Sequence, residues 1–247
     1  MINTNQVTVS IVSHGHKDFL VPLLGQLSEL PEIVEIILTL NIPESFDIST
    51  FKKIKLIIND SPKGFGENHN FAFQHSLTPF FCILNPDISI EENPFPGLLS
   101  AANNPDIGLV APMIKNLRGD TEDSARHFLT PFSLARRYFF SHDNGYAIVE
   151  GGSNFSPEWV AGMFMLFKSP VYRAINGFDE GYYLYVEDVD ICTRLWALGY
   201  RILLVPGVTA IHAAQRSSHF HLRFLYWHVS GLLRYFFKYL GRFPRVY

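Results

Sequence analysis

Short runs of β-branched and aliphatic residues alternate with helical patterns over the first 110 residues. The segment FLVPLLGQLSEL has helical spacing and lies between two of the apolar runs, which read VTVSIVS from residue 7, EIILTL from residue 35, KLIIN from residue 55 and FFCIL from residue 80. This alternation favours a parallel sheet with a right-handed crossover between successive strands. The sequence therefore predicts an α/β fold with its ligand crevice where the first strand ends, at Ser13, His14 and Gly15.

Composition limits the classes of protein that this chain can belong to. Its 247 residues are 47% hydrophobic, which is enough to close one large core. The net charge of -3, without a run of like charge, gives no footprint for nucleic acid, so we expect no such partner. Cys82 and Cys192 lie in apolar segments and are expected to be buried free thiols. The N-terminus lacks a signal-peptide pattern, which favours a cytoplasmic protein.

A loop rich in glycine and asparagine follows the third apolar run. It reads NDSPKGFGENHNFAF over residues 59–73 and places Gly64 and Gly66 just before a helical pattern. Glycines let a backbone approach a ligand closely, and the N–H groups at a helix N-terminus suit a phosphate. The glycine spacing matches neither a Rossmann nor a Walker motif. Two interpretations stay open here: a nucleotide-binding loop, or a turn that precedes a helix.

The fourth apolar run ends in a polar tripeptide. Asn85, Pro86 and Asp87 follow FFCIL, and because proline ends a sheet ladder, Asp87 is presented at the carboxyl end of the strand. A carboxylate there can hold a hard divalent cation, which in turn binds a diphosphate. The same tripeptide is also a good turn, so the metal site and the turn remain alternatives.

Three carboxylates crowd into the segment YVEDVD, residues 185–190, beside tyrosines. Asp190 precedes Arg194 by four positions on a predicted helix, which is the favourable order for an intrahelical ion pair. Glu187 and Asp188 remain, and capping the helix can use only one of them. A partly desolvated carboxylate at such a position is a candidate general base, because burial raises its proton affinity. A purely structural acidic cluster is the alternative.

The second half of the chain is less regular. Residues 112–157 are predicted to form an insertion or lid with a short helix around SLARRYFF. Three strand-like segments follow, WVAGMFMLF, RILLV and VTAIH, and His212 ends the third. An imidazole near a carboxylate-bound metal can complete its coordination, and Arg216 could contact phosphate. A hydrogen-bonded core histidine is the alternative for His212.

Taken in order, these motifs resemble the family 2 glycosyltransferases, and most closely their rhamnosyltransferase-like branch. The resemblance covers most of residues 7–218, through VSIVSHGH, NDSPKGFGENHN, LNPD and NGFDEGYYLYVEDVDICTRLWALGYRILLVP. It implies an inverting enzyme with a GT-A fold: a Rossmann-like, mostly parallel sheet flanked by helices. The expected domain covers residues 1–218, with a nucleotide-binding half of about 1–111 and an acceptor-binding half of about 112–218. A helical extension is expected over residues 219–247.

The resemblance also implies roles for particular residues. Asp188 would be the base that deprotonates the acceptor hydroxyl, with Glu187 next in line. Asp87 would bind Mn²⁺ or Mg²⁺, and His212 would join the metal shell. Asn85 stands where many relatives have the first acid of an Asp-x-Asp motif, so this site carries less charge. The nucleotide-sugar site would be formed by Ser13, His14, Gly15, His16, Asn59, Asp60, Gly64, Gly66, Asn70, Asn85, Asp87 and Arg216.

The implied reaction moves a sugar from a nucleotide-sugar donor to a hydroxyl of a glycan or lipid-linked acceptor. Rhamnose from dTDP-rhamnose is the first expectation and a hexose from a UDP-sugar the second, in the assembly of bacterial surface polysaccharide. A non-catalytic carbohydrate-binding or scaffold protein with the same fold is the alternative. A glycoside hydrolase is a weaker rival, since it needs two carboxylates across a cleft and no diphosphate-binding metal.

The segment HLRFLYWHVSGLLRYFFKYLGRFPR, residues 221–245, predicts a helix that mixes aromatic residues with arginines. Such a helix can lie in a membrane interface, where it would place the protein peripherally at the inner face of the plasma membrane. Aromatic residues on nearly every face also favour burial in the core or in a homodimer. Both interpretations stay open.

Overall fold

The computed structural model describes residues 5–45, 47–140, 145–213 and 222–246. Its strands are β1 (Val7–Ser13), β2 (Ile33–Leu40), β3 (Ile54–Ile58), β4 (Phe80–Leu84), β5 (Ile88–Ser89), β6 (Ile107–Asn116), β7 (Ala125–Arg126), β8 (Trp159–Val160), β9 (Phe164–Lys168) and β10 (Arg201–His212). Its helices are α1 (Lys17–Glu29), α2 (Phe65–Phe73), α3 (Phe95–Ala101), α4 (Pro131–Phe140), α5 (Ser169–Ala174), α6 (Glu187–Ala197) and α7 (Leu222–Tyr239).

Eight strands form one sheet in the order β3, β2, β1, β4, β9, β6, β10, β5. Strands β1 to β4 pair in parallel, as do β6 and β10. Strand β9 runs antiparallel between β4 and β6, and β5 runs antiparallel to β10. The predicted α/β class and the mostly parallel sheet are confirmed.

Helices cover both faces of the sheet, which explains why its central strands read as continuous apolar runs. Side chains of α1 and α3 pack on one face, against β1 and β4. Side chains of α5, α6 and α7 pack on the other face, together with aromatic residues of the loops. Cys82 and Cys192 are buried in these two cores as free thiols, as expected.

Two strand predictions need correction. RILLV and VTAIH form the single strand β10, whose pairing with β6 is irregular between Val205 and Thr209. WVAGMFMLF divides into β8 and β9, because the N–H of Gly162 is directed to the carboxylate of Asp188 at 3.2 Å and not to a neighbouring strand. The short helix expected around SLARRYFF is present as α4.

The C-terminal helix α7 is anchored to α6 through one face. Tyr235 is buried there, and its hydroxyl lies 2.9 Å from the hydroxyl of Thr193 on α6. Lys238 bonds the buried Asp190 at 2.7 Å. The predicted burial of this helix is thus correct for its inner face. No described helix is long and apolar enough to cross a bilayer.

Candidate active site

A cavity of about 970 Å³ lies at the carboxyl edge of the sheet, where β1 and β4 end. This is the position at which an open α/β sheet binds its ligands. Loops after β1, β2 and β4 form one side of the cavity, and the first turn of α6 together with α7 forms the other. Its polar lining includes His14, His16, Asn41, Lys63, Asn68, Asn85, Asp87, Asp123, Arg126, Glu187, Asp188, Arg223 and His228.

His212 stands between two carboxylates at the donor side of this cavity. Its Nε2 lies 3.3 Å from Oδ2 of Asp87, and its Nδ1 lies 2.8 Å from Oε2 of Glu122. The pairing of β5 with the end of β10 places His212 opposite Ile88, the residue that follows Asp87. The N–H of Ala213 donates to the main-chain oxygen of Asp87 at 2.8 Å, which fixes the two segments further.

Charge at this cluster opposes the effect of burial. Burial alone would raise the pKa of Asp87, but the hydrogen bond and positive charge of His212 outweigh it and lower the pKa. Burial alone would lower the pKa of His212, and the hydrogen bonds and charges of Asp87 and Glu122 raise it instead. Asp87, Glu122 and His212 therefore stabilise one another's charged forms although the site is partly buried.

The residues of this cluster fit a divalent metal. Oδ1 of Asp87 is buried and has no hydrogen-bond partner among the described residues. A carboxylate oxygen just before β5 and an imidazole nitrogen at the end of the neighbouring β10 are suitable ligands for Mn²⁺ or Mg²⁺. The described residues contain no group of three or more His, Cys, Asp or Glu side chains arranged around one metal position. The remaining ligands would therefore come from the donor's diphosphate and from water.

Asp188 occupies the opposite part of the cavity, at the start of α6. Its Oδ2 accepts from the N–H of Gly162 at 3.2 Å, and its Oδ1 accepts from the N–H of Val189 at 2.8 Å. Burial raises its pKa, whereas these two backbone donors and the charge of Arg126 act in the other direction. The carboxylate is oriented and partly dry, which are the two properties that a general base needs.

Glu187 is the more deeply buried of the two neighbouring carboxyl groups. It is 5% exposed, and its Oε2 has no hydrogen-bond partner among the described residues. Burial and the charge of Asp188 raise the pKa of Glu187 to about 8. A protonated Glu187 leaves the negative charge of the pair on Asp188.

The turn that presents these acids has an unusual backbone. Tyr185 and Val186 have φ of 72° and 73°, in the left-handed region that side chains rarely adopt. This turn packs closely against a glycine on each side. A Cβ on Gly64 would lie 3.0 Å from the main-chain oxygen of Tyr183, and one on Gly231 would lie 3.0 Å from that of Tyr185. The turn is therefore clamped between the start of α2 and the middle of α7.

Aromatic side chains form part of the cavity wall near α7. Tyr183 stacks on Trp227 of α7, with ring centroids 4.4 Å apart. The guanidinium of Arg223 lies over the ring of Trp227, 4.7 Å from its centroid. Flat aromatic surfaces of this kind suit the apolar faces of sugars. Tyr183, one of the tyrosines beside the carboxylates of α6, thus belongs to this aromatic wall, which we define as Tyr183 and Trp227.

Six of the residues predicted for the site line the cavity: His14, His16, Asn85, Asp87, Glu187 and Asp188. His212 contacts one of them, Asp87, from behind. Arg216 lies outside the described residues. Of the remaining predicted residues, none is among the described residues that line the cavity.

Asn70, Gly66 and Gly64 make packing contacts within the protein, and their place in the wall of the nucleotide site stays a prediction. Asn70 Oδ1 accepts from the N–H of Phe178 and from the hydroxyl of Tyr172, both at 2.8 Å. A Cβ on Gly66 would lie 2.6 Å from Cβ of Phe178. These residues connect α2 to the loop that leads to the acids. The space beside Gly66 is occupied by Phe178, and the space beside Gly64 by the main chain of Tyr183.

Ser13, Gly15, Asn59 and Asp60 are not among the described residues that line the cavity, and their contact with the nucleotide stays a prediction. Ser13 Oγ accepts from the N–H of His16 at 3.2 Å, and the N–H of Gly15 donates to Glu44 at 2.9 Å. Asn59 donates to the side chains of Asn41 and Asn68 at 2.8 and 2.7 Å. Asp60 is exposed at the surface.

Sequence reasoning missed Asn41 and Asn68, which line the cavity, and it missed Glu122. Asn41 directly follows β2, beside β1, so the argument that located Ser13 could have located it. Its side chain binds both the N–H and the main-chain oxygen of Lys63, at 2.8 and 2.9 Å. Glu122 lies in an irregular segment that carries no recognisable motif.

Comparisons with known proteins agree with this architecture. Residues 151–222 match the family model described as the N-terminal domain of galactosyltransferase. The rhamnosyltransferase WbbL of Escherichia coli is 27% identical over 93% of this chain and 92% of its own length. The N-acetylglucosaminyl-diphospho-decaprenol L-rhamnosyltransferase of Mycobacterium tuberculosis is 26% identical over 65% of this chain and 55% of its own length.

Solved structures share the fold at low sequence identity. The mannosyltransferase PcManGT from Pyrobaculum calidifontis, in complex with GDP-Man and Mn²⁺, superposes with a TM-score of 0.66 at 17% identity, over 97% of this chain and 66% of that one. GalNAc-T7 with UDP, GalNAc and Mn²⁺ gives a TM-score of 0.65 at 15% identity, over 86% of this chain and 44% of that one.

The sheet, the position of the cavity and these similarities define a nucleotide-sugar-dependent glycosyltransferase with a GT-A fold. The resemblance to the family 2 enzymes is confirmed, and the chain is similar to their rhamnosyltransferase-like branch.

Proposed function

We propose that this chain transfers rhamnose from dTDP-rhamnose, with inversion, to a hydroxyl of a lipid-linked glycan acceptor during assembly of a bacterial surface polysaccharide. One observation carries the proposal: Asp87 and Asp188 line the same cavity but come from different elements, the end of β4 and the start of α6. The rhamnosyltransferases among the relatives support rhamnose over a hexose from a UDP-sugar.

Asp188 is the proposed general base. The acceptor hydroxyl gives its proton to the Asp188 carboxylate as its oxygen forms a bond to the anomeric carbon of the donor. The bond from that carbon to the diphosphate breaks on the opposite face, so the configuration inverts. The N–H groups of Gly162 and Val189 hold the carboxylate in place for this proton transfer.

Asp87 and His212 would hold the divalent metal. When bound, the metal offsets the negative charge that develops on the leaving diphosphate. Mn²⁺ in the two structural relatives supports this cofactor, and so does the unpartnered buried oxygen of Asp87. His14, His16, Asn41 and Asn68 lie along the same side of the cavity, where the nucleotide would bind.

The aromatic wall is the proposed acceptor site. Tyr183 and Trp227 present stacked rings at the part of the cavity that contains Asp188. A sugar of the acceptor would pack on this surface and place one hydroxyl against the carboxylate. The Mycobacterium tuberculosis relative is named for a sugar acceptor carried on a diphospho-polyprenol, and we extend that class of acceptor to this chain.

The proposal is tested by calorimetry and thermal shift with dTDP, UDP, GDP and CMP, each with and without Mn²⁺ or Mg²⁺. We expect metal-dependent binding of dTDP and weaker binding of the other nucleotides. Asp87→Ala should abolish the metal dependence, whereas Glu92→Ala, at an exposed position outside the cavity, should leave it intact. Binding of UDP in preference to dTDP would overturn the rhamnose donor, and equal binding with and without metal in the wild-type protein would overturn the metal role.

A further inference from the structure

Helix α7 carries a continuous apolar stripe on its outer face. Six large apolar side chains there are between 45% and 85% exposed: Leu222, Leu225, Tyr226, Val229, Leu233 and Phe237. At about 100° per residue these positions fall within one third of the helix circumference. The stripe extends over about 24 Å along the helix axis. Contiguous exposed apolar surface of this kind marks a binding surface.

The opposite face fixes the orientation of the helix. Gly231 and Tyr235 are buried against the body of the protein. Arg234 forms three hydrogen bonds to Asp179, and Lys238 bonds both Asp179 and the fully buried Asp190. Because these contacts hold α7 from one side, the stripe faces away from the core of the same molecule.

The charges around the stripe identify its partner. Residues 222–246 contain five basic residues and no acidic residue, in a chain whose net charge is -3. Arg242 and Arg245 form no ion pair with a described residue and follow the C-terminal end of the stripe, whereas Arg223 at the other end lies over the Trp227 ring on the inner face. Apolar side chains flanked by free cations match an anionic bilayer surface. A second copy packed on this face about a two-fold axis would bring like charges together.

We propose that α7 is a docking surface for anionic membranes, on which it lies in the plane of the interface with its stripe among the acyl chains. Docking follows from the helix alone. The use of this docking for catalysis rests on the proposed function. The inner face of the same helix contributes Arg223 and Trp227 to the cavity. A lipid-linked acceptor would therefore reach Asp188 from the membrane side.

The test is flotation of the full-length protein with phosphatidylcholine vesicles that contain or lack phosphatidylglycerol. We expect the wild type to float with the anionic vesicles and to remain behind with the neutral ones. The double variant Leu225→Glu, Leu233→Glu should lower anionic vesicle binding by about tenfold or more, since it places two charges in the apolar stripe. The matched control is Leu77→Glu, Leu117→Glu, at positions 97% and 75% exposed elsewhere on the surface, and it should float like the wild type.

Three results would overturn the docking surface: unchanged flotation of the stripe variant, an equal loss in the control, or light scattering that shows a dimeric wild type and a monomeric stripe variant. The last result would assign the stripe to a second copy. Nucleotide binding is measured on every variant. If dTDP fails to bind to all of them while the flotation pattern is as expected, the proposed donor is wrong and the docking surface stands.

Discussion

Glu122 lies 2.8 Å from Nδ1 of His212, and the other nitrogen of that ring faces Asp87. The carboxylate of Glu122 therefore sets the orientation of the imidazole and directs Nε2 toward the proposed metal position. Partners of this kind behind a metal-binding histidine commonly change metal affinity 10- to 100-fold, so Glu122 is the residue we expect to tune the donor site from behind.

Glu122→Ala should weaken Mn²⁺ binding by about tenfold, because the ring of His212 loses its orienting acceptor. Mn²⁺ affinity is measured directly by titration of the EPR signal of the free ion, in the absence of donor. Glu122→Gln keeps an acceptor oxygen and should restore most of the affinity. Glu150→Ala removes a surface carboxylate that pairs with Lys115 and is the control. Equal affinity of the Glu122→Ala and wild-type proteins would rule out this role.

Asp188→Asn should lower turnover by about a hundredfold while dTDP binding stays within error, because only the proton acceptor is removed. Steady-state release of dTDP and calorimetry measure the two quantities. Asp106→Asn, at an exposed position, provides the comparison for surface charge. A variant that keeps most of its turnover would transfer the base role to another group, and Glu187 would be tested next.

The pKa of Glu187 makes stability depend on pH. The group titrates near 4.5 when unfolded and at about 8 when folded. Its contribution to stability is full below the lower value and is lost as pH rises toward the higher one, because only the unfolded chain ionises in this window. Glu187→Gln removes this loss. The difference in unfolding free energy between the variant and the wild type should therefore shift in favour of the variant from about pH 5 to pH 8.

Denaturant titrations at several pH values measure this shift, with Glu91→Gln, at an exposed position, as the control. A difference that stays constant over the range would show that Glu187 is ionised in the folded protein.

Asn70→Ala should destabilise the fold by about 2–4 kcal/mol, since it leaves the hydroxyl of Tyr172 and the N–H of Phe178 without their shared acceptor in a buried setting. Denaturant unfolding measures the loss, and Asn103→Ala on the surface should change little. If the two variants unfold at the same denaturant concentration, the side chain of Asn70 does not hold the loop.

Local sequence patterns predicted most of the helices and strands, and they located the acids at the start of α6. The helix α6 begins at Glu187 as predicted, Asp190 pairs with Arg194 at 2.7 Å, and Gly199 after the helix has φ of 83°. These features depend on neighbours within a few residues. The apolar run of β4 likewise located Asp87, because strand ends are marked in the sequence.

Contacts between distant segments could not be predicted in this way. Glu122 reaches His212 across 90 positions, and Asn70 reaches Phe178 across 108. No local motif marks such pairs. The glycines of the loop before α2 show the same limit: their spacing indicated close approach, but only the packed structure identifies Phe178 and Tyr183 as what approaches.

The packing of α7 against α6 and the turn before it can form only late during synthesis on the ribosome. The sheet and Asp87 can form from earlier segments, but Gly231 against Tyr185, Tyr235 against Thr193 and Lys238 against Asp190 exist only after the last described helix has emerged. A nascent chain thus acquires its donor half before the left-handed turn that aims Asp188 is held in place. We therefore expect activity last, once α7 has packed against α6 and the turn before it.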